Sequence, residues 1–124
     1  LISNAVKYTP ECGEINMYMD IIRVGEDFGG KIINEKSIAF FISDTGYGIT
    51  LSQQDKIFSK LFRADNVREK DTEGTGLGLY IVKSIIDLSG GSIWFESVEN
   101  TGTTFYVILP LEGMKKKEGV KKLS

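Results

Sequence analysis

The chain is 124 residues long, 41% apolar and 26% charged, with a net charge of −2. That size and balance describe one soluble globular domain with one core, and they offer no basic surface for nucleic acid. The lack of histidine and the single cysteine, Cys12, exclude an internal disulfide, the common zinc sites and the Ser-His and Cys-His nucleophile pairs, and the cysteine count suits a reducing compartment.

No apolar run in the chain reaches the roughly 18 residues of a membrane helix. No signal-peptide pattern opens it, and a membrane anchor elsewhere in a longer parent protein is compatible with both facts. In chain order, Leu1, Ile2, Ala5 and Val6 share a helical face that Pro10 ends, and the cap of this helix is expected upstream of Leu1. Residues 10–13 read as a turn. Residues 14–24 alternate, with Ile15, Met17, Met19 and Ile21 on one face of a predicted strand. Residues 25–37 are polar and contain Gly29-Gly30, so they read as a hairpin loop with ragged ends. A second strand follows over residues 38–43 with Ile38, Phe40 and Ile42 on its apolar face, and Asp44 continues that parity.

Residues 51–62 read as a helix and residues 63–73 as a charged, mobile stretch. Residues 77–88 form the strongest helix, with Leu77, Ile81, Ile85 and Leu88 as its apolar stripe and Gly90-Gly91 as its stop. Two strands, 92–98 and 103–109, flank a turn at residues 99–102, and Trp94 and its aromatic neighbours read as core. Residues 1–110 make the domain, and residues 111–124 are a Lys-rich, solvated tail. Strands with helices on one face predict a two-layer α/β sandwich of the α+β kind, with a mixed sheet.

Three short segments carry chemistry. Asn4, Lys7 and Tyr8 stand at i, i+3 and i+4, on one helical face. An amide oxygen can ligate Mg²⁺ and an ammonium can neutralise phosphate, although on this segment alone a solvated helix face is the better reading. Asp44-Thr45-Gly46-Tyr47-Gly48-Ile49 places a carboxylate at a strand end, where burial demands a donor partner, and follows it with glycines that allow close backbone approach. Gly74-Thr75-Gly76-Leu77-Gly78-Leu79 leads into the strong helix, whose N-terminal N–H groups favour phosphate. It is neither a P-loop nor a dinucleotide fingerprint, because no Gly-Lys-Ser/Thr follows and the glycines alternate.

In this order and spacing the segments resemble the catalytic and ATP-binding domain of sensor histidine kinases, within the superfamily of gyrase, heat-shock chaperone and mismatch-repair ATPases (the Bergerat fold). The resemblance runs from Leu1 to about Pro110. Residues 1–10 match the second half of the N box, 44–49 the G1 box, Ile57-Phe58 with Leu61-Phe62-Arg63 the F box, 74–79 the G2 box, and Thr103-Thr104-Phe105 with Leu109-Pro110 the last strand. The family's N box begins one residue before Leu1, where the ATP-hydrolysing relatives hold a glutamate. Ser89 stands where many relatives have a histidine.

The resemblance implies a protein-histidine kinase module of a two-component system. Its cofactors would be ATP and Mg²⁺, and its phosphate acceptor a histidine on a separate dimerisation helix bundle of the same parent, with a response regulator downstream. A related Bergerat ATPase, an anti-sigma serine kinase and a degenerate contact module are the alternatives. By position, Asn4 would ligate the metal. Lys7 and Arg63 would contact phosphates as the catalytic cations. Tyr8 would line the nucleotide, and Gly46, Gly48 and Ile49 would shape its pocket. Asp44 would bind the adenine amine with Thr104 nearby through water. Phe58 and Phe62 would pack beneath a lid formed by Gly74, Thr75, Gly76, Leu77, Gly78 and Leu79.

Overall fold

The computed structural model describes residues 1–2, 5–6, 9–59 and 78–111. Its elements are β1 (Ile15–Ile22), β2 (Asp27–Phe28), β3 (Lys31–Ile32), β4 (Ser37–Asp44), the 3₁₀ turn η1 (Leu51–Lys56), α1 (Gly78–Leu88), β5 (Ser92–Val98) and β6 (Gly102–Pro110). Four strands form one sheet in the order β1-β4-β6-β5, and every neighbouring pair is antiparallel. The sheet expected to be mixed is therefore antiparallel throughout its described strands.

Strand alternation sorts the sheet into two faces. On the first, Phe40 and Ile42 of β4, Phe105 and Val107 of β6, and Ile93 and Phe95 of β5 sit side by side in register. Leu79, Val82 and Ile86 of α1 pack on this face, as do Ile57 and Phe58 just after η1 and Leu1 from the chain's start. The stripe read from the sequence is a different one: Ile81, Ile85 and Leu88 are exposed, at 48%, 58% and 64%. Helix α1 has two apolar stripes about a third of a turn apart, and periodicity does not choose between them. The end of the helix does. The Gly91 N–H donates to Ile86 O and the Gly90 N–H to Asp87 O, with Gly90 left-handed at φ 81°. This is a Schellman cap. It lays Gly91 so close to β6 that a Cβ there would stand 2.2 Å from Ile108 O. With the exit fixed against β6, the Leu79–Val82–Ile86 side faces the sheet.

The second face carries an aromatic row. Tyr18, Phe41, Tyr106 and Trp94 stand directly opposite one another across all four strands. Tyr18 stacks on Phe41 and Trp94 on Tyr106. The stretch read as a polar loop covers them: β2 and β3 form a small hairpin whose Phe28 meets Trp94 and Tyr106 edge-on. Phe28, Ile22, Ile33 and Ala39 make a second buried cluster there. The Trp94 indole N–H donates to Gly29 O at 2.9 Å, and Lys31 Nζ lies 4.4 Å from the Trp94 ring. Gly29, at φ 57°, has no room for a Cβ, which would sit 2.6 Å from the Tyr106 ring. Three apolar residues in a polar stretch, Phe28, Ile32 and Ile33, carry no clear period, so the sequence pattern hides this packing.

Two further expectations change. Of the helix expected over residues 51–62, the described part is a 3₁₀ turn, Leu51–Lys56. The apolar face of β1 is not covered by described residues: Ile15, Met17, Met19 and Ile21 are exposed, Met19 to 70%.

If Phe28 seats the hairpin, Phe28→Ala should cost about 3–5 kcal/mol of stability and expose Trp94. Urea unfolding followed by Trp94 emission checks this: the native spectrum should shift to the red and the midpoint should fall. An unshifted spectrum would show that the hairpin holds without its anchor.

Candidate functional site

The first face ends in a polar rung. Asp44 of β4 stands opposite Thr103 of β6, and Thr103 opposite Ser97 of β5. The next rung inward is wholly apolar, with Ile42, Phe105 and Phe95 in register. The rung thus marks where the core stops. Thr103 is buried and Asp44 about half covered, so their polar atoms need partners.

Those partners come from the segment after β4. The Gly46 N–H donates to Asp44 Oδ1 at 2.8 Å. Thr45 is clipped to Glu14: its Oγ1 accepts from the Glu14 N–H at 2.8 Å and its N–H donates to Glu14 O. Gly48 is left-handed at φ 69°, and a Cβ there would stand 2.1 Å from Val98 O. The Asn100 N–H donates to Tyr47 O, and the Ile49 N–H to Ser97 Oγ at 2.8 Å. The Gln54 side chain closes the loop, donating to Ile49 O at 2.9 Å and to Ser97 O at 3.0 Å. Ile49 itself packs on the first core. Residues 46–49 are therefore held on both sides by the β5–β6 end.

The turn after the N-terminal helical residues arrives at the same place. Thr9 Oγ1 donates to Ala5 O at 2.6 Å. A Cβ on Gly13 would meet Thr9 Cγ2 at 2.3 Å and Thr45 Oγ1 at 3.0 Å. The end of the first motif and the start of the second are thus packed together.

The sequence-derived residues divide into groups. Asp44, Gly46, Gly48 and Ile49 build this end of the sheet. Thr104 does not belong to it: it lies on the opposite face and donates to Ser43 Oγ at 2.9 Å. The residue beside Asp44 is Thr103, and the alternation of Phe105 and Val107 already places 103 on the core-facing parity. Phe58 meets Phe95 and Phe105 edge-on, and Leu79 packs in the same cluster, so both serve the core. Gly78 opens α1, with nothing near its missing Cβ. Asn4, Lys7, Tyr8, Phe62, Arg63, Gly74, Thr75, Gly76 and Leu77 lie outside the described residues. Ser97 and Gln54 were missed, because a serine and a glutamine without a motif give no signal until the strands are paired.

Burial pushes the Asp44 carboxyl above its ordinary value, against the pull of hydrogen bonds from the Gly46 and Thr103 backbone. An acid with a raised folded-state pKa holds its proton more tightly folded than unfolded. Its ionised form therefore costs stability above that pKa, and the cost is relieved as pH falls through it. Asp44→Asn should accordingly melt at or above the wild-type temperature at neutral pH, with the gap closing in acid; a lower melting temperature at every pH would show the charge to be stabilising. Gly30→Ala, at a left-handed glycine with open space, should cost about 1–2 kcal/mol. Gly48→Ala, which also meets backbone, should exceed it by at least about 1 kcal/mol in the same denaturation assay.

Comparison with known proteins places this geometry. Residues 1–113 match the family described as histidine kinase-, DNA gyrase B-, and HSP90-like ATPase. The sensor histidine kinase WalK of Bacillus subtilis is 38% identical over 112 residues, which is 89% of this chain and 16% of that kinase. Among solved structures, the mycobacterial sensor histidine kinase MprB superposes with a TM-score of 0.69 at 26% identity, covering 88% of this chain and 66% of that one. Full-length ShkA, solved in complex with AMPPNP, gives 0.64 at 27% identity, covering 87% and 19%. The chain spans 16–25% of the length of curated relatives such as the WalK sensor kinases of Bacillus subtilis and Staphylococcus aureus. It belongs to the histidine kinase-, DNA gyrase B- and HSP90-like ATPase family and is homologous to the catalytic domain of sensor histidine kinases.

Proposed function

We propose that this domain binds Mg-ATP with the adenine amine on the Asp44–Thr103 rung and delivers the γ-phosphoryl to a histidine on a separate helix bundle of its parent protein. The observation that carries the reading is the pairing of two oxygen acceptors, Asp44 and Thr103, in register at the edge of the core. An ionised carboxylate accepts only, and a half-covered one is best satisfied by a donor with two protons on one nitrogen. An exocyclic amine has that form, and a carbonyl at the same place does not.

The other roles follow the motif positions. Asn4 would hold Mg²⁺, which when bound screens the phosphate charge and orients the γ-phosphoryl. Lys7 and Arg63 would contact phosphate oxygens, with Tyr8 along the nucleotide and the glycines at 74, 76 and 78 letting the backbone close over it. Phosphoryl transfer asks a protein mainly for positioning and charge stabilisation, so no nucleophile is needed on this chain. It has no histidine, and the acceptor must therefore come from elsewhere. The bundle, a downstream response regulator and a cytoplasmic location for the domain complete the reading.

Calorimetric titration of Mg-ATP tests it. The wild type should bind, and Asn4→Ala should lose the dependence on magnesium. Asp44→Asn should weaken binding about 10- to 100-fold, the size of a lost charge-assisted hydrogen bond. No binding by the wild type in the presence of magnesium would sink the proposal.

A further inference from the structure

The acceptor character of the rung depends on where one proton points, and Ser97 decides that. Its Oγ has three neighbours. The Ile49 N–H donates to it at 2.8 Å, Gly102 O lies at 3.1 Å as a pure acceptor, and Thr103 Oγ1 lies at 2.7 Å. A hydroxyl has one proton and two lone pairs. All three contacts are satisfied together only if Ser97 gives its proton to Gly102 O and receives one each from Ile49 and Thr103. The Thr103 hydroxyl proton is then committed to Ser97, and Thr103 Oγ1 offers only lone pairs to any further partner.

We infer that Ser97 is a positioning residue for nucleotide selectivity: by taking the Thr103 proton it keeps the Asp44–Thr103 rung acceptor-only, so that the site admits a base bearing an exocyclic amine and rejects one bearing a carbonyl. This rests on the nucleotide reading above and deepens it. Gln54 separates two effects that could be confused. It ties the Ile49 segment to the Ser97 backbone carbonyl without touching the hydroxyl relay. Ser97 acts on proton direction, whereas Gln54 acts only on loop position.

The test is the ratio of affinities for Mg-ATP and Mg-ITP, which differ at C6 by an amine against a carbonyl and at N1 by a lone pair against an N–H. Both are measured on the same preparation, so the active fraction cancels. The wild type should prefer ATP by about 100-fold or more, because at C6 the carbonyl sets an acceptor against acceptors where the amine donates. In Ser97→Ala the Thr103 hydroxyl is free to turn and donate to a carbonyl, and the preference should fall about tenfold. Ser97→Thr keeps the hydroxyl and should retain the wild-type ratio. Ser97→Cys, with a poor acceptor in the same space, should fall as alanine does, and it serves if the alanine variant does not fold. Gln54→Ala should weaken both nucleotides alike with the ratio unchanged. A wild-type ratio in both Ser97→Ala and Ser97→Cys overturns the inference, and so does an equal fall in Gln54→Ala. Failure of the wild type to bind Mg-ATP overturns the nucleotide reading itself and is recognised separately.

Discussion

A carboxylate at a core-facing position of a central strand is the constraint around which this domain is arranged. Asp44 shares its face with Ile42 and Phe40, yet it cannot be treated as they are: burying an unpartnered charge costs several kcal/mol. The fold responds by ending the apolar rungs one step earlier and gathering hydrogen-bonding groups there. Gly46, Thr103 and, one strand further, Ser97 supply them. The loop after β4 takes its course from these same bonds, because its Ile49 N–H reaches Ser97 and Gly48 lies against the Val98 carbonyl. Site and scaffold are here the same set of interactions.

The sheet faces differ in what they support. The first is covered by α1 and the residues after η1, and the Schellman exit of α1 seats Gly91 against Ile108 of β6, toward the end of that strand away from the rung. The second is closed by the hairpin over the aromatic row. Strands held on both faces keep their register, and register is what brings Asp44, Thr103 and Ser97 into line; a slip of one residue would carry Thr103 to the far side.

Much of this was legible in the residues. The strand parity that singled out Asp44 and the Gly pair that stops α1 are local signals, and the strand register and the helix cap bear them out. What was not legible depends on pairing. A motif match at Thr103-Thr104 does not say which of the two adjacent threonines faces in, although Phe105 and Val107 do. The stripe of Ile81, Ile85 and Leu88 is as regular as that of Leu79, Val82 and Ile86, and only the anchored helix exit distinguishes them. Phe28 and Ile33 gave no periodic signal, so a packed hairpin read as a loop. Ser97 and Gln54 carry no signature until β5 is laid beside β6.

The hairpin also bears on how such a sequence can change over time. It sits on the face of the sheet away from the rung, and its tip at Gly30 has open space around it. Substitutions and insertions there act on the reservoir of stability without touching the groups that line the rung. A lineage could lengthen, trim or redecorate this strap, drawing on the aromatic row for tolerance, while the chemistry across the sheet stays under separate selection.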